Sequence, residues 1–85
     1  MIKTSTIIPT FLDFEFEGDI PIISVCQNTS DFPDCFTARL FYLTNATPFV
    51  IVKQTLEEIR ECIPDRFIRV NRNHDDDPVI VEVWL

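Results

Sequence analysis

Cysteine–histidine chemistry in this chain would draw on three cysteines, Cys26, Cys35 and Cys62, and one histidine, His74. A thiol nucleophile needs a base within hydrogen-bond reach and a third group to orient that base. The pairing to weigh is Cys35 or Cys62 with His74. Cys62 borders the apolar face of a short helix, where packing is its expected role, and His74 lies in a polar turn. No nucleophile, base and orienting group converge, so no catalytic residue is assigned and the chain reads as non-enzymatic. His74 is followed by Asp75, Asp76 and Asp77, which could in principle chelate a hard cation. Consecutive side chains cannot all point at one ion, and no alternating acidic loop with a glycine turn is present. The reading is a solvated turn closing a hairpin, with no metal and no cofactor expected.

Two charged constellations remain. Asp13, Glu15 and Glu17 alternate with Leu12, Phe14 and Phe16. Period two predicts a strand over 11–17 with an apolar face inward and an acidic face outward. Carboxylates two apart on a strand lie ~6.5–7 Å from one another, within one Debye length. A row of like charges suits a basic partner surface better than it suits acid/base catalysis, which needs apolar shielding to tune a pKa. The second constellation is Arg60, Arg66, Arg69 and Arg72. Surface pairing with Glu57, Glu61 and the Asp75–Asp77 turn is the plain expectation, and an anion contact at the end of the strand is the functional one.

The elements that must position these groups follow from pattern. Residues 20–25 read as a short apolar strand with Pro21 near its start, and 26–37 as a polar loop. Residues 38–43 and 49–52 are two apolar strands joined through 44–48, and both are expected in the middle of a sheet. Thr55-Leu56-Glu57-Glu58 is a capping box. Leu56, Ile59 and Ile63 then fall on one helix face until Pro64 stops it, giving a helix over about 55–63. Strands over 67–72 and 79–85 flank a polar turn, and the last carries Ile80, Glu82 and Trp84 on one face. The expected fold is α+β: a mostly antiparallel sheet of about five strands with one short helix packed on it. Eight Phe residues and Trp84 are expected to supply much of the core.

Eighty-five residues and 9.9 kDa make a single domain, 1–85, with one thin core. The only glycine is Gly18, which excludes glycine-rich phosphate cradles and dinucleotide fingerprints. Fourteen acids against seven bases leave a net charge of −7. Such a chain is repelled by phosphates and anionic lipid, so generic DNA binding and membrane association are not expected, and a charge-steered partner would be basic. Three cysteines without C-x-x-C, no signal segment and no run of ~18 apolar residues point to free thiols in the cytoplasm.

Residues 49–72 also carry the string Val52-x-x-Thr55-Leu56-x-x-Ile59-x-x-x-Ile63-Pro64-x-x-Phe67-Ile68-Arg69-Val70-Asn71-Arg72. It resembles part of the LytTR-type DNA-binding domain of bacterial response regulators. That family has a strand, a short helix, a Pro-containing turn and an arginine-bearing strand whose closing polar residues contact DNA. The resemblance implies nucleic-acid contacts at Asn71 and Arg72, with Arg69 beside them. The leading expectation is a small acidic protein-binding domain, an inhibitor, adaptor or phage-type antagonist, that meets a basic partner through Asp13, Glu15 and Glu17. A free sheet edge could also admit a second copy. The alternative is a truncated LytTR-like nucleic-acid-binding transcription regulator.

Overall fold

The computed structural model describes residues 5–16, 20–43, 45–71 and 79–85, with Asn71 described in its backbone alone. Among these residues the chain forms β1 (Thr6–Ile7), β2 (Pro21–Gln27), β3 (Phe36–Tyr42), β4 (Asn45–Lys53), α1 (Leu56–Glu61), β5 (Arg69–Asn71) and β6 (Ile80–Trp84). The six strands make one sheet in the order β1-β4-β3-β2-β6-β5. Every pairing is antiparallel except β1 with β4, where Thr6 and Ile7 run parallel to Phe49 and Val50. The α+β class and the helix on the sheet are as the sequence predicts. The sheet is mostly antiparallel, as expected, with one parallel pairing at β1–β4 and six strands where about five are expected. No helix among the described residues is long and apolar enough to cross a membrane.

Over its described residues, 11–16, the strand expected over 11–17 does not form. Phe11 to Asp13 turn, and 14–16 run without strand pairing. Leu12, expected in the core, is 56% exposed, whereas Phe11 is fully buried. A strand needs a ladder edge as well as an alternating pattern, and β1 occupies the outer edge of β4. The segment instead docks on the end of the helix. The Phe11 amide donates to the Cys62 carbonyl at 3.0 Å, and the Thr10 hydroxyl donates to the same oxygen at 3.4 Å. One of the carbonyls that a helix C-terminus leaves without an intrahelical partner is satisfied in this way.

Helix α1 is capped by Thr55, whose hydroxyl also donates to the Glu58 carboxylate at 3.0 Å. The Glu58 amide donates to the Thr55 hydroxyl at 3.2 Å, and Glu57 and Glu58 occupy the first turn, where the helix dipole favours anions. Six residues cannot hold a helix in water, so burial of Ile59, Cys62 and Ile63 against the sheet must hold it. Ile59 is fully buried, which contributes about 1.5–3 kcal/mol. The sheet face beneath presents Ile23 and Val25 from β2, Ala38 and Leu40 from β3, and Ile51 from β4, all fully buried. The centre of the core is therefore aliphatic. Of the phenylalanines, Phe11 and Phe67 are buried, while Phe14, Phe16, Phe36 and Phe49 pack around the rim.

Two bulges interrupt the ladders. Arg39 pairs with Val50 but Phe41 pairs with Ala46, so Thr47, Pro48 and Phe49 stand opposite Leu40 alone. Pro48 has no amide hydrogen for the ladder and is tolerated at this irregularity. The Thr47 hydroxyl replaces the lost ladder bond, donating to the Leu40 carbonyl at 2.7 Å and accepting from the Phe49 amide at 3.3 Å. On the other side Val25 pairs with Glu82 but Cys26 pairs with Ile80, a bulge at Val81. It moves Ile80 off the face it was expected to share with Glu82 and Trp84.

Candidate functional site

The thiols do not meet a base among the described residues. Cys62 is buried and its Sγ lies 3.5 Å from the Pro9 carbonyl, a packing position, while Cys26 and Cys35 are half-buried and outside any disulfide. His74 and Asp75–Asp77 lie outside the described residues. Among the described residues no group of three or more His, Cys, Asp or Glu side chains could hold a metal ion.

The arginines are engaged within the chain. Glu82 is 3% exposed and lies on the helix side of β6. Arg60 from α1 reaches it with a two-pronged contact, Nε to Oε1 and Nη2 to Oε2, both at 3.0 Å. Arg69 from β5 adds an ion pair at 3.6 Å. Burial alone would raise the Glu82 carboxyl, but the Arg60 hydrogen bonds, the Arg60 charge, the Trp84 indole dipole and the Arg69 charge outweigh it and hold it below the usual carboxylate range. The indole Nε1 makes no full hydrogen bond, so the guanidinium groups carry most of this effect. The same pairing raises Arg60, chiefly through its hydrogen bonds to Glu82. The sequence predicts pairing of these arginines, but with Glu57, Glu61 and the 75–77 turn. Among the described residues, Arg60 and Arg69 pair instead with a buried acid on the last strand, and the 75–77 turn lies outside the described residues. An acid two residues before Trp84 on an otherwise apolar strand is the signal that such a cation was needed.

Arg39 pairs with Asp31 across the β2–β3 loop and lies 5.9 Å from the Phe32 ring. Asp31 is held below its usual range, first by the Thr29 hydroxyl and also by Arg39. The loop is shaped by Asn28 and Asp34, both with positive φ (55° and 63°), and the Asn28 side-chain oxygen accepts the Asp34 amide at 2.7 Å. The Arg66 guanidinium lies over both Phe16 and Phe67, 4.9 and 4.8 Å from their centroids. All four described arginines are thus occupied.

The carboxylates are not. Among the described residues, Asp31 and Glu82 are the acids in ion pairs; Asp13, Glu15, Asp34, Glu57, Glu58, Glu61 and Asp65 are exposed without one. Asp13 and Glu15 are both solvent-facing, although the strand expected to align them is absent. Glu17 lies outside the described residues. Of the nucleic-acid contacts that the resemblance implies, Arg69 is paired to Glu82, Asn71 sits on the edge strand β5, and Arg72 lies outside the described residues.

One groove borders this acidic segment. It is open, about 490 Å³, and lies where the β4 bulge faces the 14–15 segment; Phe14, Glu15, Tyr42, Thr47, Pro48 and Phe49 are among its lining residues. Nothing in the sequence marks it, because the groove is formed by a bulge whose position depends on strand register. Comparison of the chain with protein-family models, curated proteins and solved structures returns no match.

Proposed function

We propose that this is a small non-enzymatic binding domain whose acidic surface docks on a basic region of another protein. The observation that carries this reading is the unequal use of charge. The described arginines are engaged by Glu82, Asp31 and phenylalanine rings, and seven exposed carboxylates stand outside any ion pair among the described residues. A surface so biased attracts cationic partners and raises their association rate. Asp13, Glu15 and Glu17 are the proposed contact residues, and the role would be that of an inhibitor, adaptor or antagonist within the cytoplasm.

The test is to isolate a partner from native lysate and compare wild type with a variant carrying Asp13→Asn, Glu15→Gln and Glu17→Gln. A slower, less salt-sensitive on-rate for the variant is expected. An unchanged on-rate and salt dependence would refute a role for these acids. Random duplex DNA serves as the second ligand: no binding is expected at moderate salt. Salt-sensitive DNA binding lost in Arg69→Ala, Asn71→Ala or Arg72→Ala would replace this proposal with the LytTR-like one.

A further inference from the structure

The groove at the β4 bulge has a composition that selects among occupants. Its floor is aromatic. Phe14 meets Phe49 edge-on at 5.0 Å between centroids, and Tyr42 and Pro48 line the same space. Its rim carries Glu15, exposed and outside any ion pair among the described residues. An apolar occupant would desolvate that carboxylate without compensating it. An anion would face it directly. A cation would satisfy the carboxylate and the electron-rich ring faces together.

The rest of the aromatic row shows which cation the chain already uses. Phe67 is 5.4 Å from Phe16, Phe16 is 5.0 Å from Phe14, and Phe14 is 5.0 Å from Phe49. At one end of the row the guanidinium of Arg66 stacks on Phe16 and Phe67. At the other end, Phe14 and Phe49 open into the groove, and no Lys or Arg among the described residues lines it. A guanidinium is flat enough to lie on a ring while its edge forks to a carboxylate, which an ammonium cannot do. The volume, about 490 Å³, lies within the range of small-ligand sites and is ample for a side chain.

We propose that this groove receives an arginine side chain from a basic segment of the partner protein, lying against the Phe14–Phe49 pair and paired with Glu15. The proposal rests on the acidic-surface reading above and adds the residue that is recognised and the place that recognises it.

The probe is a short peptide of alternating arginine and glycine, titrated into the 15N-labelled chain. Its control is the same peptide with citrulline, which keeps the shape and removes the charge. The amides of Glu15, Ala46 and Phe49 should shift with the arginine peptide, and the citrulline peptide should bind at least about fivefold more weakly. Glu15→Gln should weaken the arginine peptide about threefold to fivefold, as loss of one partly exposed ion pair implies. Glu57→Gln, the same charge change on α1, should change it less than about twofold. Phe49→Leu, checked for an unchanged fold by its own spectrum, should weaken it without altering its salt dependence.

Equal binding of the citrulline peptide would overturn the proposal, because the groove would then be reading shape. Salt-sensitive binding that maps to α1 and falls with Glu57→Gln rather than Glu15→Gln would overturn the groove but leave the acidic-surface reading standing. Failure of the arginine peptide to bind at low salt would overturn the groove; a partner with no basic surface would overturn the reading beneath it.

Discussion

Replacing Glu82 by Gln removes the charge that both Arg60 and Arg69 address while keeping the side chain's size. The carboxylate is 4% exposed and receives two hydrogen bonds at 3.0 Å. Breaking a fully buried ion pair costs about 3–5 kcal/mol. Here the two arginine side chains are 40% and 46% exposed, so both cations can rehydrate and the loss must be discounted. A cost of about 2 kcal/mol at pH 7 remains, since hydrogen bonds to charged groups contribute about 1.5–3 kcal/mol each before screening. A domain of this size loses about 4–8 °C in Tm per kcal/mol, so the midpoint should fall by about 8–16 °C in thermal unfolding followed by circular dichroism. The pH dependence has a definite sign. The folded Glu82 pKa is below its unfolded value. Its contribution is therefore fully present above the ordinary carboxylate range and is lost as pH falls through the folded pKa. The gap between wild type and Glu82→Gln should be largest near neutrality and close on acidification. A change under about 0.5 kcal/mol at pH 7, the size of an ordinary surface substitution, would refute the reasoning. So would a gap that widens as pH falls.

Phe11→Ala should cost about 3–5 kcal/mol, since the ring is fully buried, while Leu12→Ala should stay within about 0.5 kcal/mol; equal costs in urea unfolding would restore a strand over 11–17 and refute the observed packing. Thiol titration in denaturant should count three thiols, and in the folded state Cys62 should react last, being 8% exposed; a count of one, or Cys62 reacting at the rate of an exposed thiol, would contradict the structure.

Local signals sufficed for part of this fold. The helix was legible because its information is contiguous: a cap at Thr55, an apolar face at Leu56, Ile59 and Ile63, and a stop at Pro64. It begins and ends within two residues of expectation, at Leu56–Glu61. The apolar strands β3 and β4 were legible for the same reason, although β4 begins at Asn45 and runs through Pro48, because a bulge accommodates the missing amide. The acidic character of the surface is a property of composition. What composition and period cannot hold is pairing. Leu12, Phe14 and Phe16 alternate like a strand, yet the neighbouring sheet edge is occupied by Thr6–Ile7. The turn at 11–13 then buries Phe11 and turns Leu12 out to solvent. Glu82 meets Arg60 twenty-two positions away because α1 packs over β3 and β4 and the long Arg60 side chain reaches across to β6, and no spacing rule in the sequence links them. The groove beside Glu15 exists because three residues of β4 face one of β3. Period sets which way a side chain points relative to its neighbours along the chain. Which residues it then meets depends on register between distant strands, and only the tertiary structure decides that.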